Sequence, residues 1–132
     1  MKKWSFIVEI TDWNKLKTIV EKEADGVVKE LGQPDSEKAL YKVTATFYQK
    51  KDRWLQPETP RQDWGIDLDN LLKPVFDGLG PIIGYKKAFK GQKPGVLDSS
   101  IVEVSAKKLN SGSDKEFLGI EVELVHVSEV GK

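Results

Sequence analysis

Apolar and polar residues alternate along several stretches of this chain and recur at helical spacing along others. From Trp4 to Ile10, the residues Trp4, Phe6, Val8 and Ile10 share one phase, and Ser5, Ile7 and Glu9 share the other, which is the period-two signature of a strand. Thr11 and Asp12 are helix-capping types. Trp13, Leu16, Val20, Ala24, Val27, Val28 and Leu31 then fall at helical spacing, and Gly32 and Pro34 supply a stop. The charged side of this helix, Lys15, Lys22, Glu23, Lys29 and Glu30, reads as a solvated face. Tyr41, Val43, Ala45 and Phe47 alternate with Lys42, Thr44 and Thr46, giving a second strand with one buried face.

A polar loop spans Gln49 to Gly65 and holds Pro57 and Pro60. It is long for a small domain, and such loops often carry function. Asp67 to Leu79 reads as a short helix. Proline fits best where its missing amide would have no intrahelical partner, so Pro74 places the first helical residue near Leu71, with Asp69 or Asn70 as cap. Gly78, Gly80 and Pro81 mark the exit, and Gly80 to Gly95 reads as a loop. Leu97 to Lys107 and Phe117 to Val127 are strand-like and flank the turn cluster Asn110–Asp114, so they are expected to pair as an antiparallel hairpin. The order β-α-β-α-β-β predicts one α+β domain over residues 1–132, with helices packed against a mostly antiparallel or mixed sheet.

Length and composition narrow the function classes. A chain of 132 residues buries enough surface to fold without a disulfide or structural metal. It has no cysteine, which removes disulfide frameworks, thiolate zinc sites and cysteine nucleophiles. His126 is the single histidine, on the inward phase of the last strand, so zinc chemistry and a Ser-His-Asp triad find little support. No stretch has the length of a membrane span or the apolar core of a signal peptide, and the expectation is a soluble cytoplasmic protein with no membrane partner. Net charge is zero, from 21 basic and 21 acidic residues, which counts against nucleic acid at first sight. Local charge softens this: between Gly84 and Gly95 lie Lys86, Lys87, Lys90 and Lys93 without an acid.

The chemistry-bearing segment runs Ile66-Asp67-Leu68-Asp69-Asn70-Leu71-Leu72-Lys73-Pro74-Val75-Phe76-Asp77. In an extended approach to a helix, Asp67 and Asp69 would point the same way. Paired carboxylates repel unless a cation neutralises them, and hard cations such as Mg²⁺ prefer oxygen donors. Lys73 follows Asp69 by four residues and would share its helix face, with Asp77 one turn further on. Asp98 supplies a third acid at the start of a strand. From the residues alone, Asp67-x-Asp69 reads more readily as structural, with Asp69 or Asn70 as a helix cap, and Asp98-Ser99-Ser100 reads as a turn.

Asp67-Leu68-Asp69-Asn70-Leu71-Leu72-Lys73-Pro74-Val75-Phe76-Asp77-Gly78-Leu79, followed by Asp98-Ser99-Ser100-Ile101-Val102, resembles the signature of the RusA family of Holliday junction resolvases. The resemblance implies a homodimeric, Mg²⁺-dependent endodeoxyribonuclease acting on branched double-stranded DNA, with Mn²⁺ as a substitute ion. It implies Asp67, Asp69 and Asp98 as metal ligands and Lys73 as a further catalytic residue. The family's element order is the one read above. The chain departs from the family in having Leu97-Asp98 where a pair of acids is common, in its turn after the first strand, and in a longer lysine-rich loop. Lys50, Lys51, Arg53 and Arg61 before the motif, and Lys86, Lys87, Lys90 and Lys93 after it, are the expected phosphate contacts. Trp54 and Trp64 are candidates for base stacking, or equally for core packing. A branched-DNA-binding module without cleavage, a small protein-interaction subunit with structural acids, and a hydrolase of small phosphoesters stand as alternatives.

Overall fold

A computed structural model describes residues 3–32, 39–50, 68–86, 90–91 and 94–125. Strand β1 (Lys3–Glu9) leads through a short 3₁₀ turn (Trp13–Lys15) into helix α1 (Leu16–Leu31), followed by β2 (Leu40–Gln49). Helix α2 (Leu68–Gly78) and the single-turn α3 (Gly80–Ile83) precede a second 3₁₀ turn (Asp98–Ser100), β3 (Ile101–Asn110) and β4 (Phe117–Val125). The chain is thus an α+β domain with the order β-α-β-α-β-β, as its periodicity predicts. Among the described residues, no helix is long and apolar enough to cross a membrane.

The four described strands form one mixed sheet in the order β1-β4-β2-β3. β4 pairs antiparallel with both β1 and β2, and β3 pairs parallel with β2. The expected hairpin of β3 with β4 is therefore not formed, because β2 lies between them. Burial explains the choice. Tyr41, Val43, Ala45 and Phe47 of β2 and Leu118, Ile120 and Val122 of β4 are fully buried on one face, so both strands need neighbours on each side. β3 carries Glu103, Lys107 and Lys108 and suits an edge. The six residues from Ser111 to Glu116 can reach roughly 20 Å, and crossing β2 needs only about 10 Å. Gly112, at φ 74°, turns this connection, and Ser111 N donates to Gln49 O at 2.9 Å.

The helices cover the face on which these residues lie. Trp4, 1% exposed, meets Tyr41 edge-on at a ring separation of 6.5 Å, and its indole N–H donates to Gly32 O at 2.8 Å. One side chain thereby fixes both the sheet and the C-terminus of α1. Leu16, Val20 and Ala24 of α1 are buried, while the predicted core residue Leu31 is exposed beside the helix end. Glu116 is buried where the strands converge: its carboxylate accepts from Trp13 Nε1 at 2.9 Å and Lys50 N at 3.1 Å. Its backbone carbonyl accepts from Ile10 N at 2.8 Å, so one residue ties β1, the 3₁₀ turn, β2 and β4. Gln49, also buried, has neither side-chain polar atom hydrogen-bonded.

Helix α2 reaches α1 so closely that glycine is required at the contact. A Cβ on Gly78 would stand 2.7 Å from Val20 Cβ and 2.8 Å from Lys17 O. Gly78→Ala should destabilise the fold by about 1–3 kcal/mol through overpacking, read as a lowered melting temperature. An unchanged melting temperature would show that the helices are not in this contact.

Tyr41 gives a second test. Burial pushes its hydroxyl up from 10.0 to about 12. The neutral phenol is the form the fold prefers, so its contribution is complete below pH 10 and is lost as pH rises towards 12. Urea denaturation across that window should show falling stability, with a shallower fall in Tyr41→Phe. Equal slopes for the two chains would refute the assignment.

Candidate functional site

Helix α2 is amphipathic for a reason visible in its sequence. Leu71 and Val75 are buried, Leu68 is half-buried against the same core, and Asp69, Asn70 and Lys73 are exposed on the other side. Burial of Leu68 draws the first turn into the helix, which therefore starts at Leu68 and not near Leu71. Asp69 and Asn70 belong to that turn and are not its caps. Pro74 lies inside the helix and forfeits the bond its amide would give to the Asn70 carbonyl, a loss that the packing of Leu71, Val75 and Gly78 outweighs. Asp69 in the first turn is favoured by the helix dipole. Since Asp69 is helical, strand alternation no longer orients it relative to Asp67, which lies outside the described residues.

The four-residue spacing now acts on a real helix. Asp69, Lys73 and Asp77 form one ridge, and Leu72 and Phe76 run beside it. These five residues and Asp98 line one open pocket of about 340 Å³. Its floor is partly apolar, from Leu72 and Phe76, and its rim carries three carboxylates and one ammonium. The structure thus brings together Asp69, Lys73 and Asp98, which come from two separate sequence stretches. Asp77 joins them; its spacing from Lys73 was the only sign of this in the sequence.

Asp98 is held by local backbone geometry. It opens the 3₁₀ turn before β3; its own N–H donates to Val96 O at 2.9 Å, and Ser100 Oγ donates to Leu97 O at 2.7 Å. Of the stretch from Gly80 to Gly95, expected as a loop, Gly80–Ile83 is instead helical, because Ile82 and Ile83 are buried in the core, and Gly84–Lys86 pairs through its backbone with Gly95–Leu97. Lys86 N donates to Gly95 O at 2.6 Å, Leu97 N donates to Gly84 O at 2.9 Å, and Tyr85 bridges Val96. That ladder brings Lys86 to Asp98, with Nζ 3.6 Å from Oδ1 and both side chains about half exposed.

The other expected phosphate contacts divide into two groups. Lys90 is exposed, and Lys50 sits at the Gln49 end of β2, whereas Asp98 precedes Ile101, which pairs with Tyr41 at the other end. Lys50 is not part of the pocket lining. Lys51, Arg53, Arg61, Lys87 and Lys93, together with Trp54, Trp64 and His126, lie outside the described residues.

As a donor set, exposed carboxylates on one pocket suit a hard divalent cation rather than a soft one. Among the described residues no group of three His, Cys, Asp or Glu side chains is gathered tightly enough to hold an ion. Asp69 and Asp98 could each offer oxygen ligands, and Asp67 is the further acid adjacent in sequence. Comparison with known proteins finds no protein-family model and no curated protein that matches this chain.

The Lys86–Asp98 pair is solvent-exposed, and exposed pairs contribute little to stability. Lys86→Ala should leave unfolding free energy within about 0.5 kcal/mol of the parent in urea titration. A loss of more than about 2 kcal/mol would make the pair structural rather than part of a binding pocket.

Proposed function

We propose that this protein is a Mg²⁺-dependent endodeoxyribonuclease that resolves four-way DNA junctions by paired phosphodiester hydrolysis, acting in the cytoplasm as a homodimer. The observation that carries it is the shared pocket: Asp69 and Lys73 on α2 and Asp98, 25 residues away from Lys73 in sequence, all contribute to the lining of one open pocket. The resemblance of these two stretches to the RusA signature supports the same residues.

Asp67, Asp69 and Asp98 would hold the ion, with Mn²⁺ able to replace Mg²⁺. When bound, it supplies the Lewis-acid charge that phosphodiester hydrolysis demands. Lys73, one turn above Asp69, offsets charge on the scissile phosphate and orients it. Lys86 neutralises Asp98 in the free protein and can turn to a phosphate once the carboxylate has another cation. With Lys50, Lys51, Arg53, Arg61, Lys87, Lys90 and Lys93 it forms the backbone-contacting set. Leu72 and Phe76 give the pocket a partly apolar lining beside these charges.

A second reading, a branched-DNA-binding module that does not cut, is favoured by the pairing of Asp98 with Lys86, because a neutralised acid needs no ion. Asp69→Asn separates the two. It should bind a synthetic four-way junction within about threefold of the parent and cut it at least about 100-fold more slowly, a loss of roughly 3 kcal/mol in transition-state stabilisation. Near-parental cutting would remove Asp69 from the mechanism. A parent chain that binds junctions but nicks them in neither Mg²⁺ nor Mn²⁺ would establish the second reading.

A further inference from the structure

Strand β3 is an edge of the described sheet, and it is unusually open for a strand of ten residues. Val102 is 42%, Val104 41% and Leu109 37% exposed. The outward N–H and C=O groups of such an edge are a template for another strand. Its register with β2 sorts the side chains by face. Glu103, Ser105 and Lys107 stand beside Lys42, Thr44 and Thr46 on the open face, and Val104 and Ala106 stand beside Val43 and Ala45 on the helix-covered face.

We propose that β3 pairs antiparallel with β3 of a second copy of this chain, centred on Ser105, joining two four-stranded sheets into one. Charge selects the register. Facing residues in an antiparallel pair must lie on the same face, so the two-fold axis passes through a residue pair. Centring on Glu103 sets that carboxylate against itself, and centring on Lys107 does the same for the ammonium. Centring on Val104 or Ala106 puts neither charge opposite its complement. Centring on Ser105 sets Glu103, which within its own chain also pairs with Lys42 at 3.0 Å, against Lys107 of the second copy and Lys107 against its Glu103. It also sets Val104 against Ala106 in both directions. Opposite charges across strands stabilise pairing and like charges oppose it.

The interface is isologous, and its two-fold axis stands perpendicular to the joined sheet. The helices of both copies then lie on the same side of the joined sheet. The pairing deepens the homodimer component of the proposal above and rests on it, whereas cleavage is tested separately.

The absence of cysteine makes the test direct, since Ser105→Cys introduces a single thiol. Facing Cα atoms about 4.5–5.5 Å apart are within disulfide reach. The full-length Ser105→Cys chain should oxidise to a covalent dimer at micromolar concentration, whereas Ser113→Cys in the exposed turn should not. By sedimentation velocity the parent should be dimeric. Lys107→Glu should weaken the dimer about tenfold or more, and Glu103→Lys combined with Lys107→Glu should restore it. Circular dichroism checks that each variant is folded. A dimeric parent whose Ser105→Cys chain cross-links no faster than Ser113→Cys overturns the edge pairing and leaves a dimeric nuclease intact. A parent monomeric at high micromolar concentration overturns both the pairing and the dimer, while junction cleavage stands or falls on its own assay.

Discussion

Parallel pairing of β2 with β3 obliges the chain to return along the length of the sheet between Gln49 and Ile101. A hairpin cannot make that return; the segment holding α2 does. Packing sets where α2 lies. Gly78 lets it approach α1, and Leu71, Val75 and Leu79 enter the core. Its outer ridge of Asp69, Lys73 and Asp77 is left facing the turn from which β3 starts, and Asp98 is in that turn. The pocket is thus a product of topology: one crossover brings two separate sequence stretches together.

Wherever one face of an element is buried and the other wet, the sequence reads cleanly. The alternation of Trp4 to Ile10 and Tyr41 to Phe47, and the spacing of Leu16, Val20 and Ala24, appear in the structure as strands and a helix with the expected faces inward. Pairing order was not legible in the same way. A turn cluster at Asn110–Asp114 is equally good for a hairpin and for a step across an intervening strand, and only the placement of the buried strands β2 and β4 side by side within the sheet decides between them. Helix α2 includes residues ahead of the start that Pro74 suggests, because proline acts locally whereas packing of Leu68 acts through the whole core. The ladder between Gly84–Lys86 and Gly95–Leu97 left no trace in a glycine- and lysine-rich stretch, since its bonds use only backbone groups.

For the site, side-chain spacing was the informative signal. The four-residue spacing of Asp69 and Lys73 survives the correction of the helix start, because both still lie on one helix. The two-residue spacing of Asp67 and Asp69 did not keep its meaning, since it presupposed extended backbone. Asp77 joins the expected residues through helix periodicity, and Lys86, expected as a phosphate contact, meets Asp98 through backbone pairing. A neutral chain can present such a site because its charges are segregated. The open sheet face pairs its own, Lys3 with Glu121 at 2.7 Å and Lys42 with Glu103 at 3.0 Å, and the pocket rim carries a different set.

The most direct measurement is cleavage of a synthetic four-way junction by the parent chain, beside a linear duplex of the same sequence, in Mg²⁺ and in EDTA. Paired nicks confined to the junction and abolished by EDTA are the expected result. Neither binding nor nicking of the junction at low salt would contradict the proposal and leave the pocket acids with a structural role.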